Sequence, residues 1–152
     1  MKKLFLLCLV IFAFSSVASA QRASVSGAEV TGTFRYNFKG KYKGSSSEVK
    51  ILALGKGKLK ISMNLIYPFT DPSGQLSANV GEAQGTANID GDTAVFSPDG
   101  AEGCKITIKF VKPGQIKITE DGGDSGCGFG HNVTSDGIYT KVSGAKPKFE
   151  EL

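Results

Sequence analysis

The sequence predicts an all-β fold: a single antiparallel meander of about eight strands closed into a small barrel, with a two-sheet β-sandwich as the alternative. Three observations carry this expectation. Apolar and polar residues alternate with period two along much of the chain, which places successive side chains on opposite faces of a strand. Turn-forming clusters of glycine, aspartate and proline interrupt the alternation at short intervals. No segment sustains a helical period.

The first twenty residues stand apart from this pattern. They carry Lys2 and Lys3, an apolar run from Leu4 to Phe14, and small residues ending in Ala18-Ser19-Ala20. That order reads as a secretory signal peptide cleaved before Gln21, because the apolar core is too short to cross ~30 Å of hydrocarbon. Cys8 lies inside the apolar core, and no cysteine opens the mature chain as a bacterial lipoprotein requires. Residues 21–29 then read as an N-terminal tail, 30–143 as the barrel domain and 144–152 as a C-terminal tail.

The first strand spans VTGTFRYNF, with Val30, Phe34, Tyr36 and Phe38 on one face and Thr31, Thr33, Arg35 and Asn37 on the other. A second covers Glu48 to Leu54. In KLKISMNLIY the inward set is Leu59, Ile61, Met63, Leu65 and Tyr67, opposed by Lys58, Lys60, Ser62 and Asn64. Glu82 to Ile89 and Thr93 to Ser97 follow. CKITIKF sets Cys104, Ile106, Ile108 and Phe110 against Lys105, Thr107 and Lys109, and Gln115 to Thr119 and Ile138 to Val142 complete the series. Gly55-Lys56-Gly57, Asp90-Gly91-Asp92 and Lys112-Pro113-Gly114 supply hairpin turns. An open sheet of this length exposes two edges and one apolar face, so closure is the economical solution. Eight strands enclose a space that side chains fill or that holds one small ligand.

Removal of the signal peptide leaves two cysteines, Cys104 and Cys127. An even pair in a small exported domain reads as a disulfide. Two cysteines and the single histidine, His131, fall short of a closed four-ligand zinc site. Neither DGGDSG nor NIDGD has the ligand spacing of a calcium-binding EF-hand loop. The sequence therefore predicts no metal and no cofactor.

The most unusual stretch is DGGDSGCGFGHNVTSDG, Asp121 to Gly137. Its GDSG tetrapeptide matches that around the nucleophile of chymotrypsin-like serine proteases. His131, however, follows Ser125 in the same loop, and no carboxylate is placed to orient it as a base. GCGFG has part of the glycine spacing of a nucleotide-binding turn but opens no helix, so it offers no row of free N–H groups to a phosphate. Asn132-Val133-Thr134 is a formal glycosylation sequon, which a signal peptide of bacterial type leaves without a role. The segment reads as a rigid corner tied to the strand at Cys104, with Phe129 packed as a plug. No catalytic residue is assigned. Ser125, Gly128, Phe129, Gly130, His131 and Asn132 form the candidate partner-binding loop.

Charge is unevenly distributed. Residues 35–60 hold eight basic residues against the single Glu48, whereas residues 61–104 hold six acidic residues and no lysine or arginine. Lys39, Lys41, Lys43, Lys56, Lys58 and Lys60 form a candidate basic surface. Two readings stand: neighbouring hairpins neutralise one another, or the two halves steer a charged partner. Export and the lack of any recognition helix or aromatic-basic RNA motif exclude nucleic acid as that partner. The mature chain has no transmembrane segment and reads as a monomer.

The run from GTANIDGDTAVFSPDG through CKITIKF to CGFGHNVTSDGIYTKVS resembles a group of small secreted bacterial proteins without an assigned function, over roughly the last half of the chain. In size, single disulfide and β-rich pattern, the chain is also similar to periplasmic lysozyme inhibitors, small antiparallel proteins that plug a lysozyme cleft with a loop. Ser135-Asp136-Gly137-Ile138-Tyr139 departs from the Ser-Gly-x-x-Tyr inhibitor motif, so no inhibitory residue is carried over. The expectation is an exported, non-enzymatic binding protein of the cell envelope or extracellular space. The alternatives are a lysozyme-type inhibitor and a barrel that binds a small ligand.

Overall fold

A computed structural model describes residues 24–101, 103–122 and 126–149. The signal peptide and Gln21 lie outside these residues, as does Ser125. A four-residue helix, α1 (Gly27–Val30), precedes eight strands. These are β1 (Gly32–Asn37), β2 (Ser46–Gly55), β3 (Lys58–Thr70), β4 (Leu76–Asp90), β5 (Thr93–Phe96), β6 (Lys105–Lys112), β7 (Gln115–Asp121) and β8 (Gly137–Ser143). Each pairs antiparallel with the next, and β8 returns to pair with β1, closing the predicted barrel.

The closing seam needs a glycine. Thr33 faces Ser143, the register then shifts, and Phe34 faces Lys141. Gly32 lies at this irregularity with φ 152°, and a Cβ there would overlap Ser143 O and the Lys141 side chain.

The two ends of the barrel differ. At one end the strands are joined by two-residue turns: Lys56-Gly57, Gly91-Asp92 and Pro113-Gly114. Lys56 and Gly57 have φ of 51° and 73°, the two positive values of the hairpin turn whose twist matches its strands. Helix α1 lies under this short-turn end. Ser26 Oγ accepts from Glu29 N at 3.2 Å to cap its start, and Lys141 Nζ donates to Ala28 O and Glu29 O at 2.9 and 2.8 Å near its finish. Val30 is thereby a buried stopper at the helix end rather than the first residue of β1.

The alternation resolves into a packed interior. Phe34, Ile51, Ile61, Leu65, Phe96, Ile106, Ile108, Phe110 and Ile116 project inward from six strands, each at most 1 % exposed. Side chains so enclosed leave no room for a water molecule against them. The wall is filled rather than hollow, as eight-stranded barrels permit.

Strands β3 and β4 are longer than expected. Pairing between β2 and β3 runs only to Glu48 and Asn64, and β5 pairs β4 only over Ala87–Asp90, yet β3 and β4 remain paired as far as Thr70 and Leu76. The hairpin over residues 66–80 therefore continues past the ends of β2 and β5 at the long-loop end. Tyr67, in the expected inward set, is 40 % exposed because no neighbouring strand continues beside it. The free edge of β3 is managed: Ile66 N donates to Ser47 Oγ at 3.0 Å, and Pro68 has no N–H to offer. Asp71 Oδ1 accepts from Ser73 N, Ser73 Oγ and Gln75 N at 2.9, 2.7 and 2.8 Å, which fixes the tip. These donors hold the Asp71 carboxyl below the usual carboxylate range.

Candidate functional site

The long-loop end gathers the β1–β2 loop, the projecting β3–β4 hairpin, the β5–β6 loop and the β7–β8 loop. Cys104, just before β6, and Cys127, in the β7–β8 loop, form the predicted disulfide, and both are buried. Beyond Cys127 the chain turns into the barrel mouth. Phe129 and Val133 are buried there against β4, where Gly81 has no side chain to obstruct them. Gly130 N donates to Val80 O at 3.1 Å, and Asn79 Nδ2 donates to His131 O at 2.7 Å. The loop is thus tied to β4 by two hydrogen bonds and to the residue that precedes β6 by a covalent bond.

A second anchor lies four residues further on. The Glu120 carboxylate accepts from Ser135 N at 2.8 Å, from the Ser135 hydroxyl at 2.9 Å and from the Thr134 hydroxyl at 3.3 Å. Asp136 Oδ1 accepts from Glu120 N. The Tyr139 hydroxyl donates to Ser135 O at 3.0 Å. Burial, with added repulsion from Tyr36, Asp136 and Glu120, drives the Tyr139 phenol well above its usual range. It stays neutral and remains a donor. Ser135, fully buried, faces Glu120 rather than an imidazole, so the arrangement braces the loop instead of activating a hydroxyl.

These two anchors leave a recess of about 220 Å³ between them and the first three strands. Its lining includes Tyr36, Phe38, Tyr67 and Tyr139, with Ser47, Asn132, Thr134 and Asp136 as polar groups. The Tyr36 and Phe38 rings meet edge to face at 5.1 Å, and Tyr36 lies 5.8 Å from the Tyr139 ring. Beyond Phe38 a more open groove of about 450 Å³ runs along the β1–β2 loop beside Lys39, Gly40, Lys43 and Gly44.

The residues singled out from sequence fall into different roles. Phe129 is 8 % exposed and belongs to the core, and Gly130 is committed to β4. Gly128, His131 and Asn132 remain exposed. The six lysines do not form one surface. Lys39, Lys41 and Lys43 stand at the long-loop end, and Lys56 and Lys58 at the short-turn end. Lys60 lies on the outer wall over the Phe149 ring, 4.8 Å from its centroid. Sequence reasoning missed the aromatic mouth, although its signal was present: Tyr36, Phe38 and Tyr67 end their inward sets, where a strand leaves the packed wall.

Other hollows are less suited to recognition. On the outer wall a small depression lies beside Glu48, Lys50 and Glu82, where Glu48 is already engaged by Arg35 at 2.8 Å. A recess of about 190 Å³ beneath α1 is lined by Val25, Ala53, Leu59, Ile89 and turn residues. Among the described residues no group of three or more His, Cys, Asp or Glu side chains is placed to hold a metal, and no helix is long and apolar enough to cross a membrane. No family model, curated protein or solved structure matches the chain.

Proposed function

We propose that the protein is an exported, non-enzymatic binding protein of the cell envelope or extracellular space, and that it recognises its partner with the long-loop end of the barrel. The observation that carries this reading is an asymmetry. The interior is filled and one end is held by tight turns and α1, whereas the other end collects braced loops around an aromatic recess. A preorganised surface loses little conformational entropy on binding, so a small domain gains affinity without a large interface. The disulfide suits an oxidising compartment, which is where the N-terminal sequence directs the chain.

The test is site-directed photo-crosslinking in the producing cell envelope, with the probe placed at Tyr67 or Asn132 and, as control, at Lys56. Crosslinks to one defined partner from the long-loop positions only are expected. Crosslinking from Lys56 alone would overturn the assignment, as would substrate turnover abolished by His131→Ala in a folded protein.

The projecting hairpin favours a second reading, that of a lysozyme-type inhibitor. Its Asp71-fixed tip and exposed Leu76 and Val80 form a rigid finger of a kind that enters a cleft. Inhibition of a panel of lysozymes, lost on shortening residues 71–75, is the expected result under that reading. Undiminished lysozyme activity at saturating protein would reject it.

A further inference from the structure

We propose that the aromatic recess is a saccharide site and that the sugar it takes carries a carboxylate. This rests on the reading of the long-loop end as the recognition surface, and it names the ligand chemistry of that surface.

A sugar ring has apolar C–H faces and a hydroxylated edge, so its site must alternate ring surfaces with hydrogen-bonding groups. The recess does so. Tyr36, Phe38 and Tyr67 provide rings, while Asn132, Thr134 and Asp136 provide polar atoms on the facing wall. A wholly apolar ligand would strip water from those polar groups without replacing its hydrogen bonds. The polar wall also has spare capacity. Among the described residues, the Asn132 carboxamide and the Tyr36 and Tyr67 hydroxyls form no hydrogen bond, and Asp136 commits only Oδ1.

Asn132 is held for the purpose at a backbone cost. Its φ is 61°, the left-handed region that non-glycine residues seldom occupy, and Asn tolerates it better than most. The bonds from Gly130 to Val80 and from Asn79 to His131 fix the chain on its N-terminal side, and the Glu120–Ser135 contacts fix the other. The carboxamide is thereby presented to the recess at a set position.

Charge selects the kind of sugar. An aromatic recess with one carboxylate also suits an organic cation. Lys39 and Lys43, however, line the groove that continues from Phe38, and among the described residues neither forms an ion pair. No acidic residue lies between Asn37 and Ser47 to offset them. A cation would be repelled at this rim, while a carboxylate projecting from a ring in the recess would meet two ammonium groups.

The experiment is calorimetric titration of the disulfide-bonded protein with tetragalacturonate, its fully methyl-esterified form and neutral chitotetraose. Tetragalacturonate should bind, and esterification should weaken it about tenfold, the size of one charge-assisted contact. Asn132→Gly relieves the backbone while deleting the carboxamide, so it should leave the unfolding midpoint equal or higher yet weaken binding about tenfold. Tyr67→Ala, at an exposed ring, should weaken it by a similar factor or more. Lys39→Gln with Lys43→Gln should abolish the preference for acid over ester and leave ester binding intact. Binding of tetragalacturonate that depends on the lysines but not on Tyr67 or Asn132 would show charge adsorption and overturn the proposal. Absence of binding to all three probes, or tighter binding of chitotetraose, would overturn it as well. If crosslinking to a partner from Tyr67 persists in that event, the binding function stands and only the saccharide assignment falls.

Discussion

Replacing Gly81 by alanine tests whether the β7–β8 loop is seated on β4 as a plug. A Cβ at Gly81 would stand 2.9 Å from Phe129 Cδ1, 2.9 Å from Val133 Cγ1 and 3.0 Å from Phe129 Cβ, all closer than carbon atoms pack. Overpacking of this kind costs about 1–3 kcal/mol, offset by about 0.4–1 kcal/mol of backbone entropy gained from alanine in the unfolded chain. Phe129→Ala alone removes a buried ring and should cost about 3–5 kcal/mol, or roughly 10–20 °C in Tm for a domain of this size. Combining the two removes the contact with Phe129 Cδ1, while Val133 Cγ1 and the β-carbon that alanine keeps at position 129 still crowd the new methyl. The double variant should therefore lose less than the sum of the single losses, with a coupling energy of about 1–2 kcal/mol. Urea unfolding of all four proteins with the disulfide intact measures this. Additivity within about 0.5 kcal/mol would show that Phe129 does not rest on Gly81, and the account of the mouth would fail.

Other outcomes follow from the same contacts. Replacing Cys104 and Cys127 by serine opens a loop of sequence separation 23 and should cost about 3 kcal/mol in chemical unfolding, with faster hydrogen exchange at Gly130 N; unchanged stability would refute the role assigned to the staple. Because the folded-state pKa of Tyr139 is raised above its unfolded value of 10.0, the stability it contributes is fully present below pH 10 and is lost above it, by about 1.4 kcal/mol per pH unit. Tyr139→Phe should remove that alkaline slope, as followed by unfolding at several pH values. Lys141 has the opposite sign: burial lowers its pKa, so its protonated form is disfavoured on folding and the penalty is relieved as pH rises towards 10.5. Lys141→Met should nevertheless cost about 1–2 kcal/mol at neutral pH by leaving Ala28 O and Glu29 O without their donor. Mass spectrometry of exported protein should find Gln21 at its N-terminus; an intact Met1 would contradict the signal-peptide reading.

The barrel was legible where burial is one-sided. Leu59, Ile61, Met63 and Leu65 alternate with polar residues because one face of β3 meets the core and the other meets water, and the structure buries all four. Legibility ended where that condition ended. LSANV in β4 alternates as a strand should, but no strand besides β3 flanks it there, so its apolar set meets solvent: Leu76 is 60 % and Val80 61 % exposed, and the alternation does not mark a core-facing strand. Pro68, one residue past the expected end of the third strand at Tyr67, is accommodated in β3 because its missing N–H falls on a free edge. Helix α1 was invisible for another reason. Four residues show no period, and their stability comes from Ser26 and from Lys141, which lies more than a hundred residues away. The candidate site was legible as a place but not as a surface. The glycine-rich loop does reach the mouth, yet its most conspicuous side chain, Phe129, serves the core, and the rings of the recess come from Tyr36 on β1, Phe38 just past it, Tyr67 on β3 and Tyr139 on β8.

The division of the lysines shows why charge along a sequence is a poor guide to charge on a barrel. Lys43 and Lys56 are separated by β2, whose ten residues at ~3.3 Å each span roughly 30 Å. That exceeds the screening length of about 8 Å at physiological ionic strength several times over. The two clusters are therefore independent, and a ligand at one end feels little of the other. In the saccharide assignment, only Lys39 and Lys43 line the groove that meets the recess, so only their removal should flatten the salt dependence of binding. Lys56→Gln with Lys58→Gln removes an equal charge from the protein and should leave affinity and its salt dependence unchanged in the same calorimetric titration. If the distant pair proves as important as the near one, recognition depends on the net charge of the whole molecule, and the recess has no special claim to the ligand.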